Sequence, residues 1–284
     1  NHVVDRFGLR DGITLGARVT SAVWDEAAQR WMVETDGGAQ VSARFCVMAT
    51  GFLSAPLKPD FPGIDTFEGL SLQTGNWPRE PVDLSGLRVA QFGTGSSGAQ
   101  TLPEIAKVAK RVTLFQRSPA YTWPISSRPL EPEERETARR GYPEMRREQR
   151  HSRQGIVGFD GGALSQASLP RLLDLDEAGR QAALDLYGFA VTNMFEDVAT
   201  DIRANEVARG LYAQMVRRVV QDPETAESLT PADYPLGCKR NVMNTGWYEA
   251  FNLPHVALVD LRAEPVAEVT RTGIRTARRE FEFD

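Results

Sequence analysis

The chain has 284 residues, 41% of them apolar and 25% charged, the make-up of a soluble globular protein with one large or two medium domains. Lys+Arg total 33 and Asp+Glu 38, a net charge of −5, which argues against nucleic-acid or anionic-membrane partners, since both need a basic footprint. Two distant cysteines, Cys46 and Cys238, exclude a disulfide scaffold and a cysteine zinc finger, and no run approaches the 18 apolar residues of a membrane span. His2, His151 and His255 share no i, i+4 face, so no metal is expected. Without a charged-then-apolar leader, the expected setting is a reducing cytoplasm.

The first 50 residues read as β structure. Ile13 to Trp24 alternates loosely, and Trp31 to Thr35 pairs with Val41 to Arg44 as a hairpin across Asp36-Gly37-Gly38. Phe45-Cys46-Val47-Met48-Ala49-Thr50-Gly51 is a continuous apolar run ending in glycine, the pattern of a strand buried on both faces of a parallel sheet. Pro56, Pro59, Pro62, Pro78 and Pro81, with Gly63, Gly69, Gly75 and Gly86, mark residues 56–86 as a connector.

Arg88 to Phe92, a glycine turn, Ala99 to Lys110 and Arg111 to Gln116 then follow in the order strand, turn, helix, strand. Residues 127–230 are rich in Arg, Glu, Ala, Gln and Leu. Val207, Leu211, Met215 and Val219 recur every four residues on one helical face, and Gly155 to Gly162 interrupt the region. Strands return at Val256 to Asp260, Val266 to Val269 and Phe281 to Phe283. Residue 1 is Asn, and Glu280 to Asp284 alternate like a strand with no element after it, so both ends are expected to be cuts in a longer chain. The pattern is α/β.

Gly93-Thr94-Gly95-Ser96-Ser97-Gly98 is a weak signal alone, and its setting between strand and helix strengthens it. Gly93 suits a tight turn, Gly95 close approach of a pyrophosphate, and Gly98 close packing of helix on strand. The helix N-terminus offers free N–H groups and a positive dipole end. The end of the second strand carries Arg117 and Ser118 where an acidic residue would bind a ribose 2′-hydroxyl. A guanidinium there fits a 2′-phosphate, which points to NADPH.

Phe67-x-Gly69-x-x-x-Gln73-x-x-x-Trp77-Pro78 resembles the Baeyer–Villiger monooxygenase fingerprint, Phe-x-Gly-x-x-x-His-x-x-x-Trp-Pro. Thr74-Gly75-Asn76, the run from Gly93 to Ala99-Gln100, Phe115-Gln116-Arg117-Ser118-Pro119 and Gly237-Cys238-Lys239-Arg240 look like the same family, in register over nearly the whole chain. The phenylacetone and cyclohexanone type is the most similar.

The resemblance implies a Rossmann-like NADPH-binding domain with a helical insertion, at 87–284 with the insertion near 127–230. A partial FAD-binding domain would be 1–55 and the fingerprint linker 56–86. In such enzymes NADPH reduces FAD, the reduced flavin traps O2, and the peroxide converts a ketone to an ester or lactone. Arg240 would be the catalytic arginine, facing anionic oxygen. Lys239 would join Arg117 and Ser118 on the 2′-phosphate, with Gly93 to Gln100 around the rest of the cofactor, and Ala49-Thr50-Gly51 would lie near FAD.

Two features depart from the family. Gln73 replaces the fingerprint histidine, so it can hydrogen-bond but carries no proton. No FAD-type glycine turn occurs before residue 50. This portion alone is therefore expected to be inactive. The alternatives are a related flavin enzyme oxygenating N or S atoms, and an NADPH-binding fragment without chemistry of its own.

Overall fold

The computed structural model describes residues 1–51, 53, 55–57, 59–125, 128–151 and 169–284. The glycine-rich break expected at Gly155 to Gly162 lies outside them. The chain forms two compact units, Asn1–Leu57 and Lys58–Asp284.

The first unit holds a short helix α1 (His2–Arg6) and strands β1 (Val19–Asp25), β2 (Arg30–Thr35) and β3 (Gln40–Ala43). They form an antiparallel meander in the order β1-β2-β3. The β1–β2 turn is closed by Asp25, whose carboxylate accepts from the N–H groups of Ala27 and Ala28, both at 2.9 Å. Trp24 and Trp31 pair across the strands edge to face, 5.7 Å apart.

The strand expected at Phe45 to Gly51 does not form. The segment is irregular, with Phe45 79% and Val47 86% exposed. A strand buried on both faces needs hydrogen-bonding neighbours and two covering layers. Among the described residues of this unit nothing flanks it.

The second unit starts from β4 (Arg88–Phe92), α2 (Ser96–Ala106) and β5 (Arg111–Gln116), followed by β6 (Thr122–Pro124). The helical region contains α3 (Pro132–His151), α4 (Glu177–Tyr187), α5 (Ile202–Val219) and α6 (Pro223–Ser228). Then come β7 (Val242–Asn244), α7 (Trp247–Ala250), β8 (Val256–Asp260), β9 (Val266–Thr270), β10 (Gly273–Thr276) and β11 (Glu280–Glu282).

Strands β4-β5-β8 form a parallel sheet in that order, with β5 central. On β5, Val112 and Leu114 join the apolar cluster of α2, α4, α5 and α7, whereas Phe115 joins Val259, Val269, Ile274 and Phe283. Successive side chains point to opposite faces of a strand. One face of the sheet is therefore covered by helices and the other by the antiparallel sheet β9-β10-β11. Phe61, Ile64 and Phe67 from the proline-rich segment pack on that second cluster.

Aspartate caps start α4, α5 and α6: Asp176, Asp201 and Asp222 accept from the N–H groups of Gly179, Arg203 and Thr225. On α5 the fully buried stripe is Ala204, Ala208, Leu211, Tyr212 and Val216. Of the four residues whose spacing marked this helix, Leu211 is buried, while Val207, Met215 and Val219 flank the stripe half-buried.

The chain's last strand finds its partner earlier in the chain. β11 pairs with β10, setting Phe281 opposite Ile274. Arg88 at the start of β4 forks onto Glu282 at 2.6 Å and Asp284 at 2.7 Å. No described helix is long and apolar enough to cross a membrane.

Candidate functional site

The site lies where β4 and β5 end. In a parallel sheet the strand ends open a crevice between the outgoing loops, and a helix N-terminus faces it. Gly93 adopts φ +96°, left-handed backbone that favours glycine. Its N–H donates to Phe115 O at 3.2 Å, holding the turn against the neighbouring strand end.

Gly95 and Gly98 do different jobs. A Cβ on Gly98 would stand 2.2 Å from Gly93 O, so only glycine lets the first turn of α2 close onto the strand end. A Cβ on Gly95 would meet nothing within 4 Å. Gly95 is the N-cap of α2 and no side chain caps the helix. Ser96 and Ser97, both exposed, open the helix. The turn thus presents an uncapped N-terminus with open space before it, which fits a pyrophosphate.

Other side chains lock the turn. Gln91, buried on β4, donates to Gly98 O at 2.8 Å and accepts from Thr101 Oγ1 at 3.1 Å. The buried Thr94 donates through Oγ1 to Ser118 O at 2.6 Å, bonding the turn to the β5 exit. Ala99 is in the core and its N–H donates to Gly95 O at 2.9 Å, so it offers a ligand no polar group. Gln100 is exposed and lines an apolar groove with Trp77, Leu84, Ile105 and Val108 on the outer side of α2.

Arg117 follows β5 directly and is exposed, with no ion pair among the described residues. Lys239 sits on the loop before β7, which is drawn in because β7 pairs with β6. The Lys239 ammonium lies 4.2 Å from the ring centroid of Tyr234, and the Tyr234 hydroxyl donates to Pro119 O at 2.9 Å. Burial pushes the Tyr234 and Tyr121 phenols above their ordinary range, so both remain donors. A continuous set of contacts therefore runs from Thr94 through Ser118-Pro119 and Tyr234 to Lys239. Arg240 is exposed beside Lys239 and makes no ion pair among the described residues.

The fingerprint residues do not gather at this site. Phe67 packs on the second apolar cluster. A Cβ on Gly69 would come 2.8 Å from the Asp284 backbone carbon as well as 2.5 Å from the Phe67 ring, so glycine is needed there. Gln73 precedes a single 3-10 turn, Thr74–Asn76, and Trp77 with Pro78 then leads the chain exposed to the outer side of α2.

Sequence reasoning missed Gln91, Thr101 and Tyr234. The first two could have been suspected as polar residues bracketing a glycine turn; Tyr234 carries no local signal. Among the described residues of 1–57 no strand leads through a glycine turn into a helix, and Ala49-Thr50-Gly51 is exposed.

No protein-family model matches the chain. A Baeyer–Villiger monooxygenase of Pseudooceanicola batsensis is 37% identical over 97% of this chain and 50% of its own length. The solved structure of an oxidized steroid monooxygenase bound to NADP is 41% identical, with a TM-score of 0.86 over 100% of this chain and 54% of its own. The structure of OTEMO in complex with FAD and NADP is 33% identical, with a TM-score of 0.89 over 100% of this chain and 53% of its own. The chain spans about half the length of the relatives it matches. Over that span the chain is similar to these monooxygenases.

Proposed function

We propose that this chain is the NADPH-binding portion of a flavin-dependent Baeyer–Villiger monooxygenase, which converts ketones to esters or lactones with NADPH and O2. The observation that carries the proposal is the turn at Gly95: open to solvent, uncapped, and tied to a loop bearing an unpaired cation. The backbone N–H groups at Ser96 and Ser97 would take the pyrophosphate. Arg117 and Lys239 would take the 2′-phosphate, Arg117 through its planar fork and Lys239 as a point charge. Ser118 holds the two segments in register through its carbonyl. Arg240 would stabilise negative charge that develops on the ketone oxygen.

FAD belongs to the complete enzyme in this proposal. When bound it would take the hydride from NADPH and activate O2, and the rest of its site would come from residues of the complete enzyme outside 1–57. The test is NADPH-dependent oxygen uptake by the full-length enzyme across a panel of ketones, with an amine and a sulfide as controls. Ester or lactone formation is expected, and Arg240→Ala should cut it by two to three decades. Oxygenation of only the amine or the sulfide would replace the proposal with a related flavin monooxygenase.

A further inference from the structure

We infer that Tyr234 is a positioning residue for recognition of the 2′-phosphate: its ring holds the Lys239 ammonium beside the β5 exit without neutralising it. The inference rests on the proposed NADPH site and adds the device that sets its selectivity.

A long lysine in a loop loses much side-chain freedom when fixed. A carboxylate partner would fix it, but would also compete with an incoming phosphate. The face of an aromatic ring attracts the ammonium through its quadrupole and leaves the full positive charge. Lys239 has the second arrangement, 4.2 Å from the Tyr234 centroid.

The neighbouring carboxylate is kept away. Asp233 pairs with Arg262 at 2.9 Å, and Arg262 also holds Asp260 at 2.9 Å. The ring itself is anchored on two sides. Its hydroxyl donates to Pro119 O at 2.9 Å, two residues from Arg117. Tyr121 packs edge to face on it at 5.4 Å and donates to Tyr234 O at 3.3 Å. Tyr234 thus connects the loops that carry Arg117 and Lys239, and its ring is oriented from the Arg117 side.

The test is calorimetric titration of this chain with NADP+ and NAD+, using Tyr234→Leu, Tyr234→Phe, Lys239→Met and the Tyr234→Leu/Lys239→Met double variant. Tyr234→Leu should weaken NADP+ binding roughly three- to tenfold and leave NAD+ unchanged. Tyr234→Phe, which keeps the face and loses the anchor, should lose less. In the Lys239→Met background Tyr234→Leu should add nothing. Equal loss for both nucleotides, or a full additional loss in that background, would mean the tyrosine is only a packing residue and overturn the inference. If Lys239→Met leaves NADP+ binding intact, the assignment of Lys239 to the phosphate fails instead. Should Tyr234→Leu not fold, the proton spectrum of the unmutated chain still decides. The Lys239 ε-methylene should be shifted upfield by the ring, and an unshifted resonance contradicts the inference.

Discussion

In residues 1–57, β1, β2 and β3 bury nothing fully among the described residues, and Val23 and Val41 stand more than half exposed. In residues 58–284 the single strand β5 buries Val112, Thr113, Leu114, Phe115 and Gln116. Both regions have β-forming sequences and regular ladders. The difference is layering: β5 has strands on both sides, helices on one face and β9-β10-β11 on the other, whereas the first sheet has three strands and, among the described residues of its own unit, no covering layer. A sheet face is stabilised by what packs on it, not by its own pairing.

The largest effect is expected at Gly98. We expect Gly98→Ala to destabilise the second unit by more than about 4 kcal/mol, because the new Cβ meets backbone rather than a flexible side chain. Thermal unfolding followed by circular dichroism checks this. Next, Leu114→Ala should cost about 2–5 kcal/mol, whereas Val41→Ala should change stability by less than about 0.5 kcal/mol. Equal costs in urea melts would erase the distinction between the two sheets.

Within the turn the same contrast separates neighbours. Gly95→Val should leave the melting curve nearly unchanged, since nothing lies within 4 Å of the new Cβ, yet weaken NADP+ binding at least about 100-fold by filling the pyrophosphate space. Normal NADP+ binding by this variant would make the turn purely structural. A smaller effect on the same binding is expected at the exposed Arg117. Arg117→Ala should weaken NADP+ about 10- to 100-fold and spare NAD+, the loss of one charge-assisted contact worth about 1.5–3 kcal/mol. Parallel titrations with the two nucleotides read it directly.

What was legible in the sequence was local. Arg88 to Gln116 reads as strand, turn and helix because Gly93, Gly95 and Gly98 fall between an apolar run and a helical one. The repeat from Val207 to Val219 marks α5, although Ala208, Tyr212 and Val216 take the deeper positions. What was not legible depends on distant neighbours. Phe45 to Gly51 has a buried strand's composition, but burial requires flanking strands that its composition cannot supply. Tyr234 is invisible for the same reason: its anchor at Pro119 is 115 residues away.

We propose that residues 58–284 carry a nucleotide site selective for a 2′-phosphate. The most direct test is calorimetric titration of the unmutated chain with NADP+ and NAD+ at one ionic strength, since charge-mediated binding is screened by salt. The account predicts saturable one-to-one binding of NADP+, at least about tenfold tighter than NAD+. Equal affinities, or no binding of NADP+ by a folded chain, would contradict it.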